Sequence, residues 1–156
     1  MISSEDQNST IVEWSENYAT GIKLIDKQHR ELVSLTNELY RACTTGDEEI
    51  GTVFKEAMSR MVEYVRFHFN AEQELLHRIN FPDYPEHKRQ HESLVKDILE
   101  AAKHYNEGMN FVPNNFVRTL KDWVFGHIAV SDKIYTSYVA EQKKKGLLSD
   151  QQIEGQ

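Results

Sequence analysis

Apolar residues recur in alternating steps of three and four along four long segments of the chain. Such a repeat places the apolar side chains on one side of an α-helix, which then buries that side in a protein core. The four segments cover about 21–44, 49–79, 85–106 and 113–145. In the fourth segment the predicted stripe consists of Phe116, Leu120, Trp123, His127, Val130 and Ile134. Residues that commonly begin, end or interrupt helices flank them: Gly46, Pro82, Pro85, Gly108 and Pro113.

Long helices joined by short links favour an all-α fold, an up-down-up-down four-helix bundle. The segments at the two ends of the chain lack the periodicity of the helices. We therefore predict a polar N-terminal arm over 1–13, one bundle domain over 14–145 and a flexible tail over 146–156.

Polar side chains interrupt the apolar stripes at six positions where a core residue is expected: His29, His68, Glu72, His87, His91 and His127. Any one of them alone would be interpreted as a hydrogen-bonded core residue or an error of register. Burying all six without partners would cost about 2–7 kcal/mol each, whereas a whole domain is stable by about 5–15 kcal/mol. Imidazole and carboxylate groups most naturally share a metal ion as their partner, so the set predicts a metal site.

The spacing of these residues supports the metal site. His68 and Glu72 are four residues apart, as are His87 and His91, so each pair projects from one side of its helix. One tetrahedral zinc takes about four ligands, and the larger set therefore indicates two metal ions. Imidazole with carboxylate suits iron, zinc, copper or nickel, and suits magnesium or calcium poorly.

The segments that carry these residues also resemble a known family: IDKQH (25–29), HFNAE (68–72), PEHKRQH (85–91) and WVFGHIAVSD (123–132). With Trp14, Gly21 and Ile22 upstream, they resemble hemerythrins in order and spacing, above all the single-domain bacterial members, over about 12–140. The resemblance implies a non-haem di-iron centre, with a bridging oxo or hydroxo group, that binds O2 reversibly inside a four-helix bundle.

The resemblance also assigns a ligand set: His87, His91 and His127 on one iron, His29 and His68 on the other, and Glu72 and Asp132 as bridges. Periodicity does not predict Asp132, because five residues turn an ideal helix by about 140° from His127. The Asp132 side chain would contact the metal site if it extended across the stripe, or if a locally widened turn such as a π-bulge rotated it towards the site. With about six coordination positions per iron, one position stays open on the iron held by His29 and His68.

Three residues are expected near that open position. By resemblance, Trp123, Val124 and Ile128 would keep it dry, although each also suits an ordinary core position. Val124 stands where relatives commonly have Leu. Gln73 stands where relatives often have a second Glu, and we expect it to leave the ligand set unaffected.

Composition narrows the choice of partners. The chain has 25 acidic and 18 basic residues, a net charge of −7. This charge argues against nucleic acid as a partner, and it also makes binding to an anionic membrane surface less favourable. A single cysteine, Cys43, excludes an internal disulfide, and the first ten residues lack the features of a signal peptide. We therefore expect a cytoplasmic monomer with O2 as its ligand.

The sequence leaves the role of the centre open. The leading interpretation is an O2-binding protein for storage, delivery or sensing, which is not an enzyme. The main alternative is a di-iron enzyme that reduces nitric oxide or peroxide, because it needs the same open position. An oxygen-responsive signalling module would require a separate partner protein. A metal store or a structural metal site is disfavoured by the open coordination position.

Overall fold

The computed structural model describes residues 10–44, 50–106 and 113–155, which contain helices and no strand. Four long helices form the body of the protein: α1, Lys23–Thr44; α2, Ile50–Arg78; α3, Tyr84–Asn106; and α4, Pro113–Lys144. Helix α1 packs against α2 and α4, and α3 packs against the same two helices. The predicted all-α four-helix bundle is confirmed.

Two short helices lie at the ends of this bundle, the 3-10 helix Glu16–Tyr18 and helix α5, Asp150–Glu154. The predicted helix bounds agree with the structure to within two residues where they are described. Gly46 and Gly108, at two of the predicted ends, and residues 1–9 of the predicted arm lie outside the described residues. None of the described helices combines the length and hydropathy that a bilayer-spanning helix requires.

The last residues of the predicted arm are attached to α1. The side-chain oxygen of Asn37 accepts hydrogen bonds from the N–H groups of Ile11 and Val12, at 2.9 and 3.1 Å, and its amide nitrogen donates to the Val12 carbonyl at 2.8 Å. Val12 is buried in the core. This part of the arm therefore belongs to the folded structure.

Two of the long helices end at a residue with a positive φ angle. Asn80 follows α2 with φ 54°, and the Phe81 N–H donates to the Leu76 carbonyl at 3.0 Å. Gly146 follows α4 in the same way, with φ 74°. Glycine and asparagine adopt this left-handed conformation at the lowest cost, which explains why these residues end the two helices.

The core consists of two apolar clusters with a polar layer between them. On α1, Ile25 belongs to the smaller cluster and Leu32 to the larger one, with the buried His29 between them. On α2, Val65 belongs to the larger cluster and Leu75 to the smaller one. The predicted stripes of these two helices are confirmed, and their polar residues meet at one level of the bundle.

Helix α4 buries only part of the predicted stripe. Phe116 and Leu120 are buried as predicted, but the later members of the stripe are exposed. The predicted stripe included Trp123, Val130 and Ile134, which are 38%, 68% and 54% exposed. The buried residues of α4 are instead Phe116, Val117, Leu120, Val124, Phe125, Ile128, Asp132, Tyr135 and Val139. The helix thus has apolar residues on two sides, and only one of these sides faces the core.

The predicted flexible tail is partly helical, which corrects the sequence-based prediction for 146–156. The Ser149 side chain accepts a hydrogen bond from the backbone of Gln152, and the Gln152 side chain accepts one from the backbone of Ser149. Such a capping box stabilises the first turn of a helix. Helix α5 follows from this local pattern.

Helix α5 packs against the smaller core cluster. Ile153 is only 5% exposed and belongs to that cluster. The Arg78 guanidinium of α2 donates to the Gln152 carbonyl at 2.7 Å, and the Glu154 carboxylate accepts from the Lys23 N–H at 3.2 Å. These contacts join the end of the chain to α1 and α2.

The docking of α5 can be tested with Ile153→Ala. We expect it to lower the free energy of unfolding by about 2 kcal/mol, the low end for such a truncation, because a terminal helix can detach locally. The melting temperature should fall by about 4–8 °C, measured by circular dichroism. Gln151→Ala, at an exposed position of α5, is the matched control. Equal melting temperatures would contradict the docked arrangement.

Candidate metal centre

Polar side chains from all four long helices converge in the layer between the two apolar clusters. Their ligand atoms form two groups, within each of which all atoms lie within 4.8 Å of one another. The larger group contains Glu72, His87, His91, His127 and Asp132. The smaller group contains His29, His68 and Asp132. The structure therefore brings together all seven side chains of the predicted ligand set.

Asp132 belongs to both groups because its two carboxylate oxygens face in different directions. Oδ2 lies 3.4 Å from His29 Nε2, whereas Oδ1 lies 3.2 Å from the Nε2 atoms of both His87 and His127. Helix α4 is α-helical throughout, so no π-bulge is needed. The carboxylate reaches the centre from the buried side of the helix, in the geometry of a bridging group.

Glu72 lies between the same two groups from the side of α2. Its Oε2 atom is 3.4 Å from the Nε2 atoms of both His68 and His91, and its Oε1 atom is 3.4 Å from His87 Nε2. Two carboxylates thus separate the imidazoles of the smaller group from those of the larger one. This arrangement can hold two cations side by side.

The buried atoms of the centre lack the hydrogen bonds that buried polar atoms normally make. Both oxygens of Glu72 and of Asp132 have no hydrogen-bond partner among the described residues, nor do the Nε2 atoms of His29 and His68. These residues are essentially inaccessible to solvent. Oxygen and nitrogen atoms that converge without partners in a buried layer fit a metal site.

Hydrogen bonds on the far side of two imidazoles orient them towards the centre. His29 Nδ1 donates to the Tyr18 carbonyl at 3.0 Å, and His68 Nδ1 donates to the Gln28 side-chain oxygen at 2.7 Å. A neutral imidazole with its proton on Nδ1 has a lone pair on Nε2, the form that binds a metal. The sequence patterns did not indicate these roles for Tyr18 and Gln28.

The Tyr18 carbonyl is itself held in place by a network at the start of α1. Asp26 Oδ1 accepts hydrogen bonds from the Thr20 backbone N–H at 2.7 Å and from the Thr20 hydroxyl at 2.8 Å. Lys133 of α4 donates to the Ala19 carbonyl at 2.8 Å. The segment before α1 is thereby tied to two helices, next to the carbonyl that orients His29.

Gln73 and Phe69 support a third imidazole. Gln73 Nε2 lies 3.1 Å from His91 Nδ1, and turning the amide by 180° puts its oxygen there as the acceptor of the Nδ1–H. The Phe69 ring stacks on His91, with centroids 3.7 Å apart and planes 2° apart. Gln73 belongs to neither ligand group, and its side chain contacts one of the candidate ligands from the side away from the centre.

The centre favours ionised carboxylates. Burial by itself raises the pKa of Glu72, but the imidazoles of His87 and His91 outweigh it and lower the pKa to about 2. Burial also raises the pKa of Asp132, yet His127, His29 and His87 hold it well below its usual range. Two anions in a buried layer need compensating positive charge, which either protons on the histidines or metal cations can supply.

The histidines differ in how they respond to this environment. Burial lowers the pKa of His68 to about 4. Burial also lowers the pKa of His87, but the carboxylates of Asp132 and Glu72 outweigh it and raise the pKa to about 9. His68 is therefore neutral at pH 7 and available as a ligand, whereas a metal must displace a proton from His87.

One functional candidate did not emerge from the sequence patterns. Tyr135 is fully buried on α4, its ring centroid is 5.6 Å from that of His87, and its hydroxyl has no hydrogen-bond partner among the described residues. Burial, together with the charges of Glu72 and Asp132, raises the pKa of Tyr135 well above its usual range. The hydroxyl thus keeps its proton beside the centre.

The residues expected near the open position separate into two kinds. Val124 and Ile128 are buried. Trp123 is instead 38% exposed and, together with His127, lines a surface cleft of about 300 Å³ between α3 and α4. Trp123 lies five residues before Ile128, about 140° around the helix, so it does not share the buried side of α4 with Ile128, and its role in keeping the open position dry stays a prediction.

Comparison with known proteins identifies one matching family and several relatives. The family model for the hemerythrin HHE cation binding domain matches residues 20–139. A bacteriohemerythrin of Stenotrophomonas maltophilia is 29% identical over 126 residues, which cover 81% of this chain and 80% of that protein. A hemerythrin-like protein of Naegleria gruberi is 27% identical over 122 residues, which cover 78% of this chain and 88% of that protein.

Solved structures show the same fold. The crystal structure of wild-type hemerythrin superimposes with a TM-score of 0.75 at 24% identity, covering 81% of this chain and 96% of that chain. The resemblance inferred from the sequence motifs is thereby confirmed. The match over most of the bundle shows that the chain belongs to the hemerythrin family.

Proposed function

We propose that this protein binds O2 reversibly at a non-haem di-iron centre, in oxygen storage, delivery or sensing, and that it is not an enzyme. The observation that carries the proposal is the pair of ligand groups joined by the Asp132 carboxylate, in a buried layer of unpartnered polar atoms. Membership of a family that binds non-haem iron and O2 supports iron as the metal. The cytoplasmic location stays a prediction from the sequence.

Each side chain has a defined part in this proposal. The residues would be divided as follows: His87, His91 and His127 on one iron, His29 and His68 on the other, and Glu72 and Asp132 between the two. Bound iron would supply the electrons and the open coordination position that O2 needs. The protein itself orients the imidazoles, through the Tyr18 carbonyl and Gln28, and surrounds the centre with apolar residues.

Burial favours a binding protein over one that turns over a larger substrate. The side chains of His29 and His68, which flank the proposed open position, are inaccessible to solvent. Val124 and Ile128, both buried on α4, are proposed to form the wall beside that position. Such a site suits a small uncharged diatomic molecule, whereas a bulky substrate would have to displace the core.

The metal content tests the composition of the centre. We expect two irons per chain when the protein is produced with iron, measured by elemental analysis. His91→Ala should lower the iron content. It should also lower the melting temperature, because bound metal stabilises the folded state by about 2.7 kcal/mol when its free concentration is 100 times the dissociation constant.

His104→Ala is the matched control, since His104 is exposed on the same helix and should keep both the iron and the melting temperature. After removal of iron with a chelator, the melting temperatures of the two variants should move closer together. A single metal per chain, or zinc alone after growth with excess iron, would contradict the proposal.

The visible spectrum tests reversible binding. The reduced protein should gain a charge-transfer band when O2 is added and lose it under vacuum, over repeated cycles. A protein that only binds O2 should not consume it under excess reductant beyond the slow rate of autoxidation. Sustained consumption of O2, nitric oxide or peroxide would show an enzyme instead.

Val124→Leu tests the wall of the proposed O2 site. The wild-type valine lacks one methylene relative to leucine, a difference of about 0.8 kcal/mol in packing, and the missing volume leaves room for water or small anions. We expect the leucine variant to lose its O2-loaded spectrum more slowly and to bind azide more weakly in the oxidised form. The measurement compares both proteins at one pH and temperature. Faster decay in the variant would contradict the role of Val124.

A further inference from the structure

Helix α4 carries an uncharged stripe on the side that faces away from the core. The outer stripe, as we call it, consists of Trp123, Gly126, Val130 and Ile134, all of them exposed. At 100° per residue these positions lie within about 80° of one another on the helix. Exposed apolar groups that form a contiguous patch commonly mark a binding surface.

We propose that the outer stripe is the surface through which two copies of this chain form a dimer. The α4 helices of the two copies would lie antiparallel, related by a two-fold axis that crosses the outer stripe at the level of Ile128 along the helix. In such a symmetric interface the same surface serves both copies, so it must be complementary to itself. A dimer differs from the monomer that the sequence predicts. The sequence pattern places Trp123, Val130 and Ile134 in the core, whereas all three are exposed.

The centre of the outer stripe is complementary to itself in shape. In the antiparallel register centred on Ile128, Val130 of each copy faces Gly126 of the other. Apart from the adjoining residues and backbone of its own helix, no atom of the described residues lies within 4 Å of a Cβ atom built on Gly126, so the space above this glycine is open. A valine side chain from the second copy can occupy that space, and this contact occurs twice.

The two edges of the stripe match in the same register. Asp122 and Lys133 lie on one edge of α4, so that Asp122 of each copy comes opposite Lys133 of the other. Trp123 and Ile134 lie on the other edge and come opposite one another as an apolar pair. A parallel arrangement would instead place the charged edge of each copy against the apolar edge of the other. Opposite charges and apolar pairs thus both favour the antiparallel pair.

Charge also favours a second copy over an acidic or basic partner. Each copy has a net charge of −7, which repels other copies over most of the surface. The outer stripe itself contains no charged residue. Asp122 and Lys133 of α4 flank it, and one acidic and one basic side chain of α3, Asp97 and Arg89, line the cleft beside Trp123. Because charges of both signs flank this uncharged stripe, an approach through it is less repulsive than the net charge of the two copies implies.

A dimer of this kind would also cover one side of the metal centre. His127, whose side chain is 9% exposed, lies between Trp123 and Val130 in the sequence and at the margin of the outer stripe. Together with Trp123 it lines the surface cleft between α3 and α4. The second copy would reduce the access of water to this candidate ligand.

Sedimentation equilibrium over a range of concentrations tests the dimer. We expect the mass to rise from the 18.2 kDa of one chain to twice that value. Gly126→Leu fills the space that Val130 of the second copy needs, and Val130→Lys places a charge there; each should weaken the dimer at least tenfold. Phe67→Lys, at an apolar position 57% exposed on α2, is the matched control and should leave the dimer intact.

The fold of the variants can be checked separately. No side chain among the described residues crowds the position of a Cβ atom on Gly126. Gly126→Leu should therefore keep or raise the melting temperature of the monomer, because leucine has the higher helix propensity. A wild-type protein that stays monomeric up to about 1 mM would overturn the proposal. A dimer that neither variant weakens would also overturn it.

Disulfide cross-linking tests the register. In a Cys43→Ser background, the single variants Gly126→Cys and Val130→Cys are mixed and oxidised. The mixture should form a heterodimer with one disulfide faster than either variant forms a homodimer, because these two positions face each other. Leu147→Cys, at an exposed position beyond α4, serves as the control for random collision. Cross-linking no faster than this control would contradict the antiparallel pair.

Discussion

The buried polar layer is the constraint on which the rest of the fold depends. Glu72 and Asp132 are ionised and inaccessible to solvent, and their oxygens have no hydrogen-bond partners among the described residues. Two such anions would destabilise the bundle unless positive charge lies beside them. The surrounding imidazoles can hold that charge as protons or as metal ions. The apolar clusters above and below the layer then keep water away from it.

The surroundings of the layer serve to keep its geometry fixed. A carbonyl before α1 and a glutamine within it hold the far nitrogens of His29 and His68. The carbonyl stays in place because Asp26 and Lys133 fix the backbone next to it. Hydrogen-bond partners of this kind fix the tautomer and the ring orientation of histidines that bind a metal. The segment before α1 is thus part of the candidate site rather than a simple extension.

Much of the fold and of the buried polar layer could be predicted from the sequence, because the apolar stripes of α1 and α2 are regular and the polar residues that interrupt them are easily recognised. His29, His68 and Glu72 appear as polar residues where the repeat requires apolar ones. By contrast, Tyr135 looks like any core aromatic residue, and the contact between Gln73 and His91 joins two helices. Such contacts depend on how helices pack, which a single sequence does not specify.

The end of the chain shows a different limit. Ser149 and Gln152 have the spacing of a capping box, so the start of a helix could have been recognised there. Ile153 is one apolar residue without a periodic neighbour, and five residues of helix are too few to be stable alone. Helix α5 exists because Ile153 packs on the smaller core cluster, and nothing local in the sequence indicates that contact.

Helix α4 explains why Asp132 could not be predicted from periodicity. Two apolar stripes run along this helix, and the one containing Trp123 and Val130 has the more regular spacing around His127. His127 and Asp132 lie about 140° apart on the helix, and both must point into the same layer. Only one rotation of α4 allows that, with Ile128 facing inwards between the two. Turning the helix to bury Val130 would carry Asp132 out of the centre, so the convergence of these two side chains leaves the outer stripe exposed.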